Sequence, residues 1–244
     1  IGRNVSSIFP SRRECSFLGR IVSLVCLLPL QACATTYSAE PIEAWVVDAE
    51  NNSPIEGVVV TANWELEEGT VGGNRPAGQI MVMETITDNR GRFYFPAWGP
   101  KSTPVTFPLP LTSEPHLVNR DPQLLLFKSG YKWRGVENYY SADYNKSSLR
   151  KSDWNGKTIK MERFKGDLKE YARHLGFFPL RFAEEDCNWK NIPQMVLVVD
   201  KQYQLFRKNG IGTSLLSINS LEGMSPNDRK RCGSAREFFE RGQK

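Results

Sequence analysis

The chain has 244 residues, 32 Lys and Arg against 27 Asp and Glu, and a formal charge of +5, with 40% hydrophobic residues. That length supplies one large domain, or one domain with an appendage, around a core of ordinary size. There is no basic run, RNA-binding signature or zinc-finger spacing, so no nucleic-acid partner is expected.

The first forty residues read as a targeting segment. Arg12, Arg13 and Arg20 precede IVSLVCLLPL, ten residues without a charge, which is the pattern of a secretory signal peptide. A membrane span needs about 20 apolar residues, so this core is too short to be one. The stop Leu30-Gln31-Ala32-Cys33 resembles the lipobox of bacterial lipoproteins. The resemblance implies a leader over residues 1–32, cleavage before Cys33, and acylation (palmitate included) of the Cys33 sulfur and the new amino terminus. Several chains, each contributing about 0.8 kcal/mol per buried CH₂, make a lasting anchor where one chain is marginal. Residues 33–40 then form a lipidated linker, and the membrane is a partner through Cys33. Ala34 stands where inner-membrane retention uses Asp, which implies the periplasm-facing side of an outer membrane.

On that reading Cys15 and Cys26 leave with the leader, and Cys187 and Cys232 remain. An even pair in an oxidising compartment reads as a disulfide, with free buried thiols as the alternative. Zinc is a weaker option, because neither cysteine belongs to a CxxC and only His116 and His174 could assist. Removing residues 1–32 takes four arginines and one glutamate and leaves a formal charge of +2.

Past the linker, residues 43–47 and 57–64 are rich in Val and Trp and flank the turn residues Glu50-Asn51-Asn52-Ser53-Pro54, a strand, a loop and a strand. Residues 79–87 (QIMVMETIT) predict another strand, leading into Asp88-Asn89-Arg90-Gly91, where Asp and Asn suit a tight turn and Gly accepts positive φ. Residues 92–95 alternate polar and aromatic side chains, and residues 123–128 and 157–161 predict two further strands. Gly and Pro interrupt the pattern over residues 70–76 and 96–122. The second interruption holds seven prolines and predicts a long irregular surface connection. Short strands with turn signals between them argue for a mainly β chain built as a β-sandwich.

The segments VVDAENNSPIEGVVVTANW, TITDNRGRFYF and PQLLLFKSGYK resemble the carboxypeptidase regulatory-like domain of the transthyretin-like superfamily. Pro54, Gly57, Asp88, Gly91, Phe93, Gly130 and Tyr131 stand at that domain's turn and core positions. The resemblance covers about half the chain and implies a transthyretin-like or Ig-like β-sandwich over residues 41–165. It implies no activity. Zinc carboxypeptidases, beside which such domains occur, carry His-x-x-Glu, whereas His116 and His174 here lack the Glu. The hydroxyisourate hydrolase of the superfamily ends in Tyr-Arg-Gly-Ser, of which this chain keeps only Arg241-Gly242.

After residue 165 the period changes to that of a small helical region, residues 166–244. Leu168, Tyr171, Ala172 and Leu175 share one helical face, as do Met195, Val199, Tyr203 and Phe206 in a helix predicted over residues 193–208. Ser234 with Glu237 predicts a capping box that opens a final short helix. A Cys187–Cys232 bridge would staple this tail.

A catalytic set is not legible. Glu67-Glu68 and Glu184-Glu185-Asp186 are sequence neighbours on polar runs, which does not place two carboxyls across a cleft. No Gly-x-Ser-x-Gly occurs, and Asp88 to Gly91 lacks a calcium-loop ligand series. No metal or cofactor is expected. One aromatic-basic stretch stands out: Trp133, Arg134, Tyr139, Tyr140, Tyr144 and Trp154 as a candidate binding surface. Aromatic rings with cations suit sugar rings, anionic glycan or a protein hot spot, although strands are also rich in core aromatics. The sequence therefore predicts a non-catalytic envelope lipoprotein, a binding or scaffolding module for an envelope protein assembly, with a glycan- or peptidoglycan-binding module as the alternative.

Overall fold

Strand β2, Ile42–Asp48, alternates buried and half-buried residues along its length, as a strand with one face in a core must. Strand β3, Val59–Thr70, begins instead with six consecutive buried residues, which requires cover on both faces. These two strands set the architecture of the computed structural model. It describes residues 35–104, 112–118, 120–139, 147–223 and 225–242. Residues 1–34, with Cys33 and the segment read as a leader, lie outside the described residues, as do Tyr140 and Tyr144.

The other strands are β1 Thr36–Ala39, β4 Gly73–Ile86, β5 Arg92–Phe95, β6 Trp98–Ser102, β7 His116–Leu117, β8 Gln123–Phe127, β9 Arg134–Val136, β10 Leu149–Arg150 and β11 Thr158–Met161. The largest sheet runs β4-β3-β8-β9, with β7 also paired to β3. Two three-stranded sheets, β10-β1-β6 and β11-β2-β5, complete the sandwich. Ile42, Ala44 and Val46 of β2 meet Val60, Ala62, Trp64 and Leu66 of β3 in its core. The protein is mainly β, a β-sandwich followed by a small α-helical C-terminal region.

Helices α1 Leu168–Leu175, α2 Pro193–Lys208, α3 Ile218–Glu222, α4 Pro226–Cys232 and α5 Ala235–Arg241 follow, with 3₁₀ turns at Arg181–Ala183 and Glu185–Lys190. They form a second core with the outer face of the large sheet, through Val59, Val82, Leu125 and Phe127. This is why β3 is buried on both faces. Asp167 caps α1 in a capping box with Glu170. The amino terminus of α2 is capped from another element: the Glu84 carboxylate of β4 accepts the Gln194 and Met195 N–H groups at 2.9 and 2.6 Å. Tyr171 joins tail and sandwich, its hydroxyl accepting from Gly130 N at 3.0 Å and donating to Tyr131 O at 3.2 Å. Cys187 and Cys232 are bonded, tying the second 3₁₀ turn to the end of α4.

Several expectations change on the structure. Residues 70–76 do not interrupt the β pattern; they include the tip of the β3–β4 hairpin, whose pairing runs to Thr70↔Gly73. Pro76 is tolerated because β4 is an edge strand, where a missing N–H need not break a ladder. The connection over residues 96–122 is less irregular than its prolines suggest, since it holds β6 and β7. Cys232 closes a helix, α4, that the sequence reading lacks. The motif residues act as turn and core positions: Gly57, Gly91 and Gly130 have positive φ and Phe93 is buried. At Gly91 a Cβ would lie 2.3 Å from the Val46 carbonyl oxygen, so glycine is required on space as well as backbone.

Candidate functional site

Edge strand β9 places Gly135 in register with Leu125 of β8, on the face that the tail covers elsewhere. Having no side chain there leaves a groove of about 450 Å³, whose lining includes Asn63 and Gln123, a cross-strand pair of β3 and β8. The tail contributes Pro179 and Phe182, and the segments after β9 and β10 contribute Tyr139 and Trp154. Arg134 and Glu137 complete the polar lining.

The two aromatic segments are fastened to each other by one buried amide. Asn138 Nδ2 donates to the Asp121 and Lys151 carbonyls, both at 2.7 Å, and its Oδ1 accepts from Asp153 N at 2.8 Å. The Asp153 carboxylate accepts from Tyr139 N at 2.7 Å, and Trp154 Nε1 donates to the Glu137 carbonyl at 2.9 Å. Tyr139 is thereby held as a 73% exposed residue. The Lys157 ammonium lies 5.9 Å from the Tyr139 ring centre and 5.8 Å from that of Trp154, so one cation serves two rings. Glu137 is engaged by Arg120 at 2.9 Å and the Arg134 charge acts on Glu162, which leaves Lys157 as the cation set against the two rings.

Asn63 is the anomaly of the groove. It is only 4% exposed, and its buried Oδ1 has no hydrogen-bond partner among the described residues. One pleat further along β3, Glu65 takes a long hydrogen bond from Gln123 Nε2, 3.4 Å. Burial, then the neighbouring Glu185 and Glu67, push the Glu65 carboxyl above its ordinary range. Asp121 Oδ1 accepts from Glu65 N at 3.2 Å, and burial raises the Asp121 carboxyl well above its usual value.

Three of the sequence candidates, Arg134, Tyr139 and Trp154, meet at this groove. Trp133 does not. It stacks on His174, 6.1 Å between ring centres at 25°, and meets Phe178 edge-on, so it packs the tail onto the sandwich. His174 is also stacked by Phe164 at 5.5 Å, and its Nε2 is buried without a partner among the described residues. His116 sits in β7, with Nδ1 3.2 Å from the Glu114 carbonyl. The adjacent acidic pairs are used structurally: Glu68 pairs with Arg75, Glu185 accepts from Gln79, and Asp186 pairs with Arg231. Among the described residues no group of three or more His, Cys, Asp or Glu is placed to hold a metal ion, and no helix is long and apolar enough to cross a membrane. Asn63, Gln123, Gly135, Lys157, Pro179 and Phe182 escaped the sequence reading. The available signal was Asn63 itself, a polar residue inside the apolar run VVVTANW.

No family model matches the chain, and no curated protein matches it. Among solved structures, the 3-chlorocatechol 1,2-dioxygenase of Rhodococcus opacus 1CP aligns over 53% of this chain and 60% of its own, with 15% identity and a TM-score of 0.27. The C-terminal domain of the shaft pilin SpaA from Lactobacillus rhamnosus GG aligns over 53% of this chain and 99% of its own, with 12% identity and a TM-score of 0.23. Wild-type catechol 1,2-dioxygenase of Acinetobacter radioresistens aligns over 54% and 53%, with 15% identity and a TM-score of 0.25. This chain therefore spans 60% or less of those two dioxygenases. Likenesses at this level assign neither a family nor an activity.

Proposed function

We propose that this chain is a non-catalytic binding or scaffolding module of the cell envelope, held at the periplasm-facing side of an outer membrane by acyl chains on Cys33. The groove beside β9 is its binding face. The observation that carries this reading is the meeting of Arg134, Tyr139 and Trp154 at one concave site, with Lys157 beside both rings. Ligand sites are concave and combine apolar walls with a few placed polar groups, as this one does. A glycan ligand, the second reading, is favoured by the exposed Tyr139 next to a cation.

In-cell crosslinking of the tagged full-length protein, with mass spectrometry of captured material, tests the binding face. The expected result is an envelope component captured by the native chain and lost from a folded Arg134→Ala/Tyr139→Ala variant. Capture that the double substitution leaves unchanged would place the binding face elsewhere and overturn the assignment. For the anchor, Cys33→Ala is expected to abolish labelling by radioactive palmitate and release the protein from the membrane fraction; labelling that persists would refute acylation at Cys33.

A further inference from the structure

We infer that the occupant of the groove is an acidic saccharide, a glycan chain that bears carboxylates, with Asn63 as the buried amide that meets a sugar hydroxyl or acetamido group. The inference rests on the reading of the groove as the binding face and names its ligand.

Four observations converge on that chemistry. Tyr139 presents an exposed ring and Trp154 a half-buried one, and a pyranose packs its C–H face against such rings. Asn63 and Gln123 place two amides side by side in the groove, and amides both donate to and accept from hydroxyl groups. Asn63 keeps a side-chain oxygen buried and unpartnered, a costly arrangement that a ligand's donor would relieve. Lys157 lies beside both rings while Glu137 is occupied by Arg120, so the charge at the rings suits an anion. The volume of about 450 Å³ lies within the usual range for small-molecule sites, roughly 300–1,000 Å³. An apolar protein helix would leave the Asn63 oxygen unsatisfied, which favours a hydroxyl-bearing occupant over it.

Gly135 provides a plug that does not depend on refolding. Its backbone φ is outside the left-handed region, and a Cβ there would meet only the Trp133 ring at 3.5 Å, an ordinary contact. Gly135→Leu therefore fills the groove while the strand is kept.

The test is calorimetric titration of the full-length protein in detergent with two probes: glycan strands of alternating N-acetylglucosamine and N-acetylmuramic acid, and uncharged chitotetraose. The inference predicts binding of the carboxylate-bearing strands at least fivefold tighter than chitotetraose. It also predicts a tenfold or greater loss in Gly135→Leu, Tyr139→Ala and Asn63→Leu, with far-UV dichroism unchanged. Equal affinity for the two probes overturns the acidic assignment, and binding that survives Gly135→Leu overturns the groove. If neither probe binds but the crosslinking above captures a protein through Arg134 and Tyr139, the binding module stands and the saccharide falls. If both experiments are blank, both readings fall.

Discussion

An amide buried without a partner costs about 1–3 kcal/mol of stability, because its water is lost and nothing replaces it. The Asn63 side-chain oxygen is in that position among the described residues, in the middle of β3, so the residue is carried at the expense of the fold. Asn63→Leu, which keeps the branching of the side chain, is predicted to raise unfolding stability by about 1 kcal/mol in urea denaturation. A destabilised variant would mean that Asn63 has a structural partner. His174 gives a second prediction. Burial, and then the Lys132 charge, lower its pKa below the ordinary imidazole value, so the folded state prefers it neutral. A base with a depressed folded pKa contributes full stability above its unfolded pKa, about 6.5, and loses it as pH falls from there toward the folded value. The melting temperature of the native chain should therefore fall more between pH 7 and pH 5 than that of His174→Phe. Parallel curves for the two would contradict this. Glu65, Glu84 and Asp121 are displaced upward by burial and act in the opposite direction, which is why the comparison is with the variant.

Element by element, what the sequence made legible were pieces that obey local rules. Helix α2 runs Pro193–Lys208 as its leading Pro and following Gly predict, and β5 runs Arg92–Phe95 as its alternation predicts. Strands β1, β6, β7, β9 and β10 were not legible, because pieces of two to five residues carry no period and are held by partners distant in sequence; β1 lies in the stretch read as a linker, yet pairs with β6 and β10. The groove was half legible: Arg134, Tyr139 and Trp154 came from composition, but Asn63 and Gly135 matter only through register with β8. Trp133 reads as surface by composition, yet the tail's placement takes it into packing. The cap of α2 is non-local for the same reason, since Glu84 belongs to β4. Glu84→Ala removes both acceptors from the helix terminus and is predicted to cost about 1–2 kcal/mol, with helices elsewhere intact. A loss below a few tenths of a kcal/mol would show that water replaces the cap.

For the whole molecule, the tail is what makes a sandwich face into a groove. Pro179 and Phe182 reach the site only because the tail lies on the large sheet, and Cys187–Cys232 ties two segments of the tail to each other over a sequence separation of 45 residues. Closing a loop of that size restricts the unfolded chain by an amount worth about 4 kcal/mol on the loop-entropy account. Cys187→Ser/Cys232→Ser is predicted to lower unfolding stability by roughly 2–4 kcal/mol and to weaken groove binding with it. Unchanged stability would show that the tail holds without the bridge.

The most direct test of the account is retention of the full-length protein on isolated cell-wall sacculi, comparing the native chain with Gly135→Leu. The account predicts that the native chain sediments with the sacculi and that the folded Gly135→Leu variant stays in solution. Equal retention of the two would contradict the groove as the binding face, and none of either would contradict the saccharide as its ligand.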